Sequence, residues 1–187
     1  MKADLKQVLA SADLIHDQAT VEQAIARMAA TIRADYPDAT EVAERPLFLT
    51  IMHGGLPFAA RLAMELGLLG LDLAMDYLHA SRYRGETSGR ELRWMHEPAT
   101  PLQGRRVLLV DDILDEGHTL AGILDWCRRQ GAAEVRVAVM TVKEHARRVE
   151  GVQADYVGLQ VPDRYVFGYG MDYHEQGRNL PAIYAME

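Results

Sequence analysis

The chain has 187 residues, 49% of them hydrophobic and 25% charged, the composition and length of one ordinary globular domain. Its apolar runs are short and interrupted, as at 66–73 where Asp72 intrudes, which argues against a membrane-spanning helix; a formal charge of −7 argues against nucleic-acid binding, because a phosphate backbone rewards concentrated positive charge. The N-terminus alternates charged with apolar residues and lacks the apolar block of a secretory signal, and the single Cys127 has no partner for an internal disulfide, so a cytoplasmic protein is expected.

In chain order, the first clear helix is predicted to begin near Thr20, whose hydroxyl would cap it while Gln23 reciprocates three residues later. Val21, Ala24, Ile25, Met28 and Ile32 recur at helical spacing and form its buried face. Residues 47–52 read as a buried strand, followed by the Gly54-Gly55 turn and a helix over 57–66. A second strand is predicted at 71–79, and the polar stretch 80–89 reads as a mobile insertion. Gly104 marks a turn before the strand 107–110, which stops at Asp111-Asp112 and passes through Gly117 into a helix over 119–130. Further strands are expected at 135–142 and 156–161. Cys127 sits among Ile123, Leu124 and Trp126 and reads as packing, as do Trp94 and Trp126. The basic groups Arg82, Arg84, Arg90, Arg93 and Arg147, Arg148 read as solvated surface. Alternating strands and helices predict an α/β fold, a mainly parallel twisted sheet flanked by helices on both faces.

The segment 107–120, VLLVDDILDEGHTL, carries the chemistry. It ends a buried strand with two acids and turns through a glycine into a helix. Ligands of open α/β sheets collect at the carboxyl ends of strands, and the N–H groups of a helix N-terminus bind anions. Asp115, Glu116, Gly117, His118 and Thr119 could thus wrap a phosphate, although the GKS/T ending of a Walker loop is absent. Carboxylates repel phosphate but accept hydrogen bonds from hydroxyls, so Asp111 and Asp112 beside that loop suit a ribose 5-phosphate.

With these residues in place, the sequence resembles the type I phosphoribosyltransferases. Their signature is a hydrophobic strand, two acids, two apolar residues, Asp, a small residue, Gly, any residue and Thr. It is more narrowly similar to the hypoxanthine-guanine branch, from about residue 47 to the C-terminus. Leu78-His79-Ala80-Ser81-Arg82-Tyr83 with Thr87-Ser88-Gly89 resembles that branch's catalytic loop. Val161-Pro162-Asp163-Arg164-Tyr165-Val166-Phe167-Gly168-Tyr169-Gly170-Met171-Asp172-Tyr173 resembles its base- and metal-binding segment, with Arg178-Asn179-Leu180-Pro181 following.

The resemblance implies a single domain over 1–187, with a core near 40–150 and a small hood drawn from about 1–20 and 155–187. It implies 5-phosphoribosyl diphosphate and a 6-oxopurine base as substrates and a homo-oligomer, dimer or tetramer. Asp111 and Asp112 would hold the ribose hydroxyls, residues 115–119 the 5′-phosphate, and the backbone of His53, Gly54 and Gly55 the diphosphate, with Arg178 pairing to it as well. Asp115 would lie near N7 of the purine and exchange a proton there. Lys143 would donate to the 6-oxo group, Tyr165 would stack on the base, and the Val166 carbonyl would accept from the amine of guanine. Asp172 would bind Mg²⁺, and Tyr83 would shield the reacting centre as its loop closes.

Three positions depart from the family pattern. His53 replaces the usual lysine of the diphosphate loop, and imidazole loses its charge as pH rises from about 6 to 8, so donor affinity should fall over that range. Arg82 stands where a small residue is common. Glu116 replaces a small hydroxyl residue, so its carboxylate must point away from the phosphate or be offset by His118 or the helix N-terminus. Two other readings stay open: a xanthine-preferring enzyme, since Lys143 suits any 6-oxopurine, and a non-catalytic nucleotide- or RNA-binding regulator of the same fold.

Overall fold

The computed structural model describes residues 4–39, 41, 44–82 and 92–187. The elements follow in the order α1 (Leu5–Ser11), β1 (Asp13–His16), α2 (Gln18–Asp35), β2 (Leu47–Ile51), α3 (Leu56–Leu68), β3 (Ala74–Arg82), β4 (Leu92–His96), β5 (Arg106–Leu114), α4 (His118–Arg129), β6 (Glu134–Lys143), β7 (Tyr156–Val161), β8 (Tyr165–Phe167) and β9 (Ile183–Met186). Six strands form one sheet in the order β4-β3-β2-β5-β6-β7, and three form a smaller sheet, β1-β9-β8. The large sheet is parallel except for β4, which runs antiparallel to β3. The small sheet is antiparallel.

All five residues of β2, LFLTI, are buried, as a parallel strand covered on both faces requires. Phe48, Leu108 and Val110 pack with α2 and α3 on one face. Leu47, Leu49 and Leu109 pack with Ile123, Trp126 and Cys127 of α4 on the other. Burial pushes the Cys127 thiol up to about 12, so it stays protonated and inert at neutral pH. Trp94 meets Trp126 at 4.8 Å between ring centroids, and both tryptophans pack the β4 hairpin onto α4. No helix among the described residues is long and apolar enough to cross a membrane.

Several boundaries differ from the sequence expectation, each for a local reason. Asp17, not Thr20, caps α2: its carboxylate accepts from the Thr20 N–H at 2.8 Å, where an acid also complements the positive helix end. β3 starts three residues late because Gly70 turns the chain at φ 79° and the Leu71 N–H returns to Leu66 O to finish α3. β5 does not stop at the two acids. Its pairing with β6 continues through Asp111↔Val139 and Ile113↔Thr141, and buried Thr141 donates its hydroxyl to Asp112 O at 3.0 Å. The predicted insertion begins as strand: Ala80, Ser81 and Arg82 pair with Trp94, Arg93 and Leu92. Tyr83 and the remainder of that insertion lie outside the described residues. β7, assigned to the hood on sequence grounds, pairs with β6 in the large sheet, where Asp155 accepts from the Val137 N–H at 2.8 Å.

Candidate active site

The carboxyl ends of β2, β3 and β5 and the start of α4 enclose an open cleft of about 860 Å³, the position where parallel sheets bind ligands. After β2 the chain passes through a cis Met52–His53 peptide into two glycines that lie against other backbone and side chains. A Cβ on Gly54 would stand 1.9 Å from Asp112 Oδ2, one on Gly55 2.6 Å from Ile51 O, and one on Gly170 2.0 Å from Gly54 O. No larger residue fits at these contacts. His53 and Gly54 form part of the cleft wall, whereas Gly55 lies behind it as the N-terminal residue flanking α3.

His53 has a partner that sequence spacing did not suggest. The His79 ring meets it at 4.3 Å between centroids, edge to face. Parallel pairing of Ile51 with Leu78 brings these two strand ends side by side. Burial, then the positive charge of His53 and Arg178, lower the His79 pKa below the ordinary imidazole range.

Asp111 and Asp112 sit together on the cleft wall. Burial, reinforced by the charge of Asp112, pushes the Asp111 carboxyl well above the usual range. Burial also raises Asp112, against the opposing effects of its hydrogen bond with Asp111 and the Arg178 charge. A pair so placed favours a ligand that brings hydroxyl donors or positive charge.

Asp115 follows β5 and joins the cleft to the next strand end. The register Leu114↔Val142 puts it beside Lys143, whose Nζ donates to Oδ2 at 2.7 Å. His145 Nε2 meets Oδ1 at 2.6 Å. Burial acts to raise the Asp115 pKa, but the hydrogen bonds from Lys143 and His145, with the Lys143 charge, outweigh it and hold the carboxyl below the usual range. The Lys143 side chain is 13% exposed, so it is not the surface lysine its residue type suggests.

Gly117, at φ 84°, opens α4 with no side-chain cap, which leaves the first-turn N–H groups available to an anion. A Cβ there would stand 2.9 Å from Val152 Cγ1. Glu116, His118 and Thr119 also line the cleft. The Glu116 carboxylate is offset by His118 Nε2 at 3.5 Å and Arg147 Nε at 3.8 Å.

Arg178 reaches the same cleft from the far side, donating to Gly170 O at 2.7 Å and pairing with Asp172. Asp172 Oδ2 also accepts from the Glu175 N–H at 2.7 Å. Its oxygens are of the kind a hard cation takes, although no group of three or more His, Cys, Asp or Glu among the described residues is disposed to hold an ion. Lys143, Tyr165, Val166 and Asp172 are not on the cleft wall itself. Tyr165 is 46% exposed and contacts the rings of Tyr173 and His174, while Val166 is buried and paired with Ala185.

Residues 11–176 match the model of the phosphoribosyl transferase domain. The chain belongs to the phosphoribosyltransferase family. Within it, the chain is 34% identical over 184 residues to a hypoxanthine-guanine phosphoribosyltransferase of Streptococcus pneumoniae, covering 98% of this chain and 94% of that one. It is 32% identical, over the same shares, to its namesake in Bacillus subtilis. Among solved structures, a Trypanosoma cruzi hypoxanthine phosphoribosyltransferase mutant in a ternary substrates complex superposes with a TM-score of 0.88 at 26% identity, covering 95% of this chain and 97% of that one. These relatives place the chain in the hypoxanthine-guanine branch of the phosphoribosyltransferases, and the six-stranded sheet with its smaller antiparallel companion is the fold of that family.

Sequence reasoning missed His79 and His145. Neither has the spacing to cysteines or acids that marks a metal site in sequence. The available signal was topological: His79 lies on β3 and His145 just after β6, each strand adjacent in the sheet to one whose end carries a candidate site residue.

Proposed function

We propose that this phosphoribosyltransferase is a purine salvage enzyme. It transfers the 5-phosphoribosyl group of 5-phosphoribosyl diphosphate to N9 of hypoxanthine or guanine, giving IMP or GMP and diphosphate. The observation that carries this reading is the Asp115–Lys143 contact at 2.7 Å, which ties a cleft suited to a phosphorylated ribose to a cation suited to a 6-oxo group.

In this reading Asp111 and Asp112 accept from the ribose hydroxyls, and the N–H groups of 115–119 hold the 5′-phosphate. His53, Gly54 and Arg178 face the diphosphate, with Gly55 holding the turn behind them. Lys143 has three donors. One can stay on Asp115 while another meets the 6-oxo oxygen, a choice that rejects the amino group of adenine. Tyr165 stacks on the base and the Val166 carbonyl meets its 2-substituent. N9 bonds to the anomeric carbon as the bond to diphosphate breaks, and that oxygen leaves with the electron pair. The proton on N7 passes to Asp115, which its hydrogen bonds keep ionised. Asp172 would hold Mg²⁺, with substrate oxygens and water completing its shell. The ion's contribution, when bound, is to offset charge on the diphosphate.

The test is product formation by purified protein from 5-phosphoribosyl diphosphate with hypoxanthine, guanine, xanthine and adenine in turn, with Mg²⁺ or chelator. Turnover of hypoxanthine or guanine, abolished by chelator and lowered about 10²-fold or more in Asp115→Asn, is the expected result. Preference for xanthine would move the substrate assignment. Absence of turnover with every base would favour a non-catalytic nucleotide-binding role.

A further inference from the structure

We infer that His145 is a positioning residue for Asp115: a ring of fixed tautomer whose Nε2–H anchors one carboxylate oxygen while the other, which accepts from Lys143, takes the substrate's proton. The inference rests on the reading of Asp115 as the group that takes the purine proton.

The geometry fixes the tautomer. The Arg147 N–H donates to His145 Nδ1 at 3.1 Å, so Nδ1 must present its lone pair. The ring hydrogen is then on Nε2, aimed at Asp115 Oδ1 at 2.6 Å. The His145 side chain is 3% exposed, which leaves little room to reorient.

The loop that carries His145 is anchored on both sides. Arg148 donates to Lys143 O at 3.0 Å, and the Val149 N–H donates to Glu116 O at 2.8 Å. The Arg147 guanidinium forms a two-pronged pair with Asp163 at 2.7 and 2.8 Å. The loop therefore ties the phosphate loop before α4 to the turn after β7, and the charged groups around the Asp115–His145 pair are Lys143, Glu116, Arg147 and Asp163.

A carboxylate on a short side chain still rotates about its last bond, a broad two-fold torsion. Lys143 cannot fix it alone, because its long stem is flexible and its ammonium is shared with the base. A rigid, buried donor on Oδ1 sets the carboxylate plane and leaves Oδ2 in place for the incoming proton.

The experiment compares His145→Leu, His145→Gln and Asp115→Asn in single-turnover and steady-state kinetics across pH. Removing the donor in His145→Leu should lower kcat about tenfold, the scale of one hydrogen bond to a charged group, and move the acidic limb of the kcat profile upward. The KM for 5-phosphoribosyl diphosphate should be unchanged. His145→Gln, whose amide N–H can reach the same oxygen, should recover most of the rate and return the limb.

Wild-type kcat and an unmoved limb in His145→Leu, with Asp115→Asn slow, would overturn the inference. Full activity in Asp115→Asn would overturn the proton-acceptor reading and this inference with it. Should His145→Leu not fold, ¹⁵N spectra of the wild-type ring at pH about 8, above the ordinary imidazole range, decide the matter. A hydrogen on Nε2 supports the anchor, and one on Nδ1 excludes it.

Discussion

Asp111 and Asp112 bring two carboxyls to the end of a buried strand, and both are pushed above the ordinary range, first by burial. A carboxyl whose folded pKa is raised binds its proton more tightly folded than unfolded. Its ionisation therefore destabilises the fold at pH values above the folded pKa, and the penalty fades as pH falls through that value. Asp111→Asn removes the charge while keeping an oxygen to accept from the Asp112 N–H, now bonded at 2.9 Å. In the absence of substrate it should melt about 2–4 °C above wild type at pH 7, with the gap closing towards pH about 4, and it should bind donor poorly. A lower melting temperature at pH 7 would show that the carboxyl is better solvated than the burial of this strand end implies. The same two acids show what a sequence can disclose of a site. VDD followed by DEGHT is a local pattern, so residues 111–119 were legible. His79 and His145 meet their partners across strand neighbours, and one sequence does not give the order in which strands lie side by side.

At the scale of elements, the strands whose two faces are both covered were the easiest to read, because burial on both sides forces a continuous apolar run, as in 47–51 and 107–110. The short pieces β1, β4, β8 and β9 and the helix α1 were missed. They have three to seven residues each, too few for a period to register. The neighbouring ends of β2 and β3 give an element-level prediction. His79 is held below the ordinary imidazole range by burial and by the positive charge of His53 and Arg178. An anionic diphosphate in the same cleft favours its charged form, so donor binding takes up a proton and weakens as pH rises. The KM for 5-phosphoribosyl diphosphate, measured at saturating base, should begin to climb below the ordinary imidazole value of about 6.5 and go on climbing through it, and the slope should flatten in His79→Ala and in His53→Ala. A wild-type profile that is flat across that range and coincides with His53→Ala would remove the histidine pair from donor binding.

For the whole molecule, the α/β architecture followed from alternation of strand and helix, but a surface suited to a second copy did not, since it needs the packed helices to show which face is left over. α3 buries Phe58, Leu62 and Leu66 and yet turns Leu56, Met64 and Leu68 outward, at 50%, 69% and 81% exposure. With exposed Ala60, these positions recur every fourth residue and form a second apolar stripe along the helix. Met75 and Tyr77 of β3 are also exposed. They pair in register with Phe48 and Thr50 and so lie on the sheet face that α3 covers. Exposed apolar side chains on both helix and sheet suit a self-associating face, most simply a two-fold one. Wild-type protein at micromolar concentration should therefore sediment at twice the 20.9 kDa chain mass or more. The double variant Met64→Glu, Leu68→Glu should sediment as a monomer with an unchanged circular dichroism spectrum, because both side chains already face water and their replacement opens no cavity. A wild-type chain that stays monomeric under those conditions would show that the stripe serves some other contact.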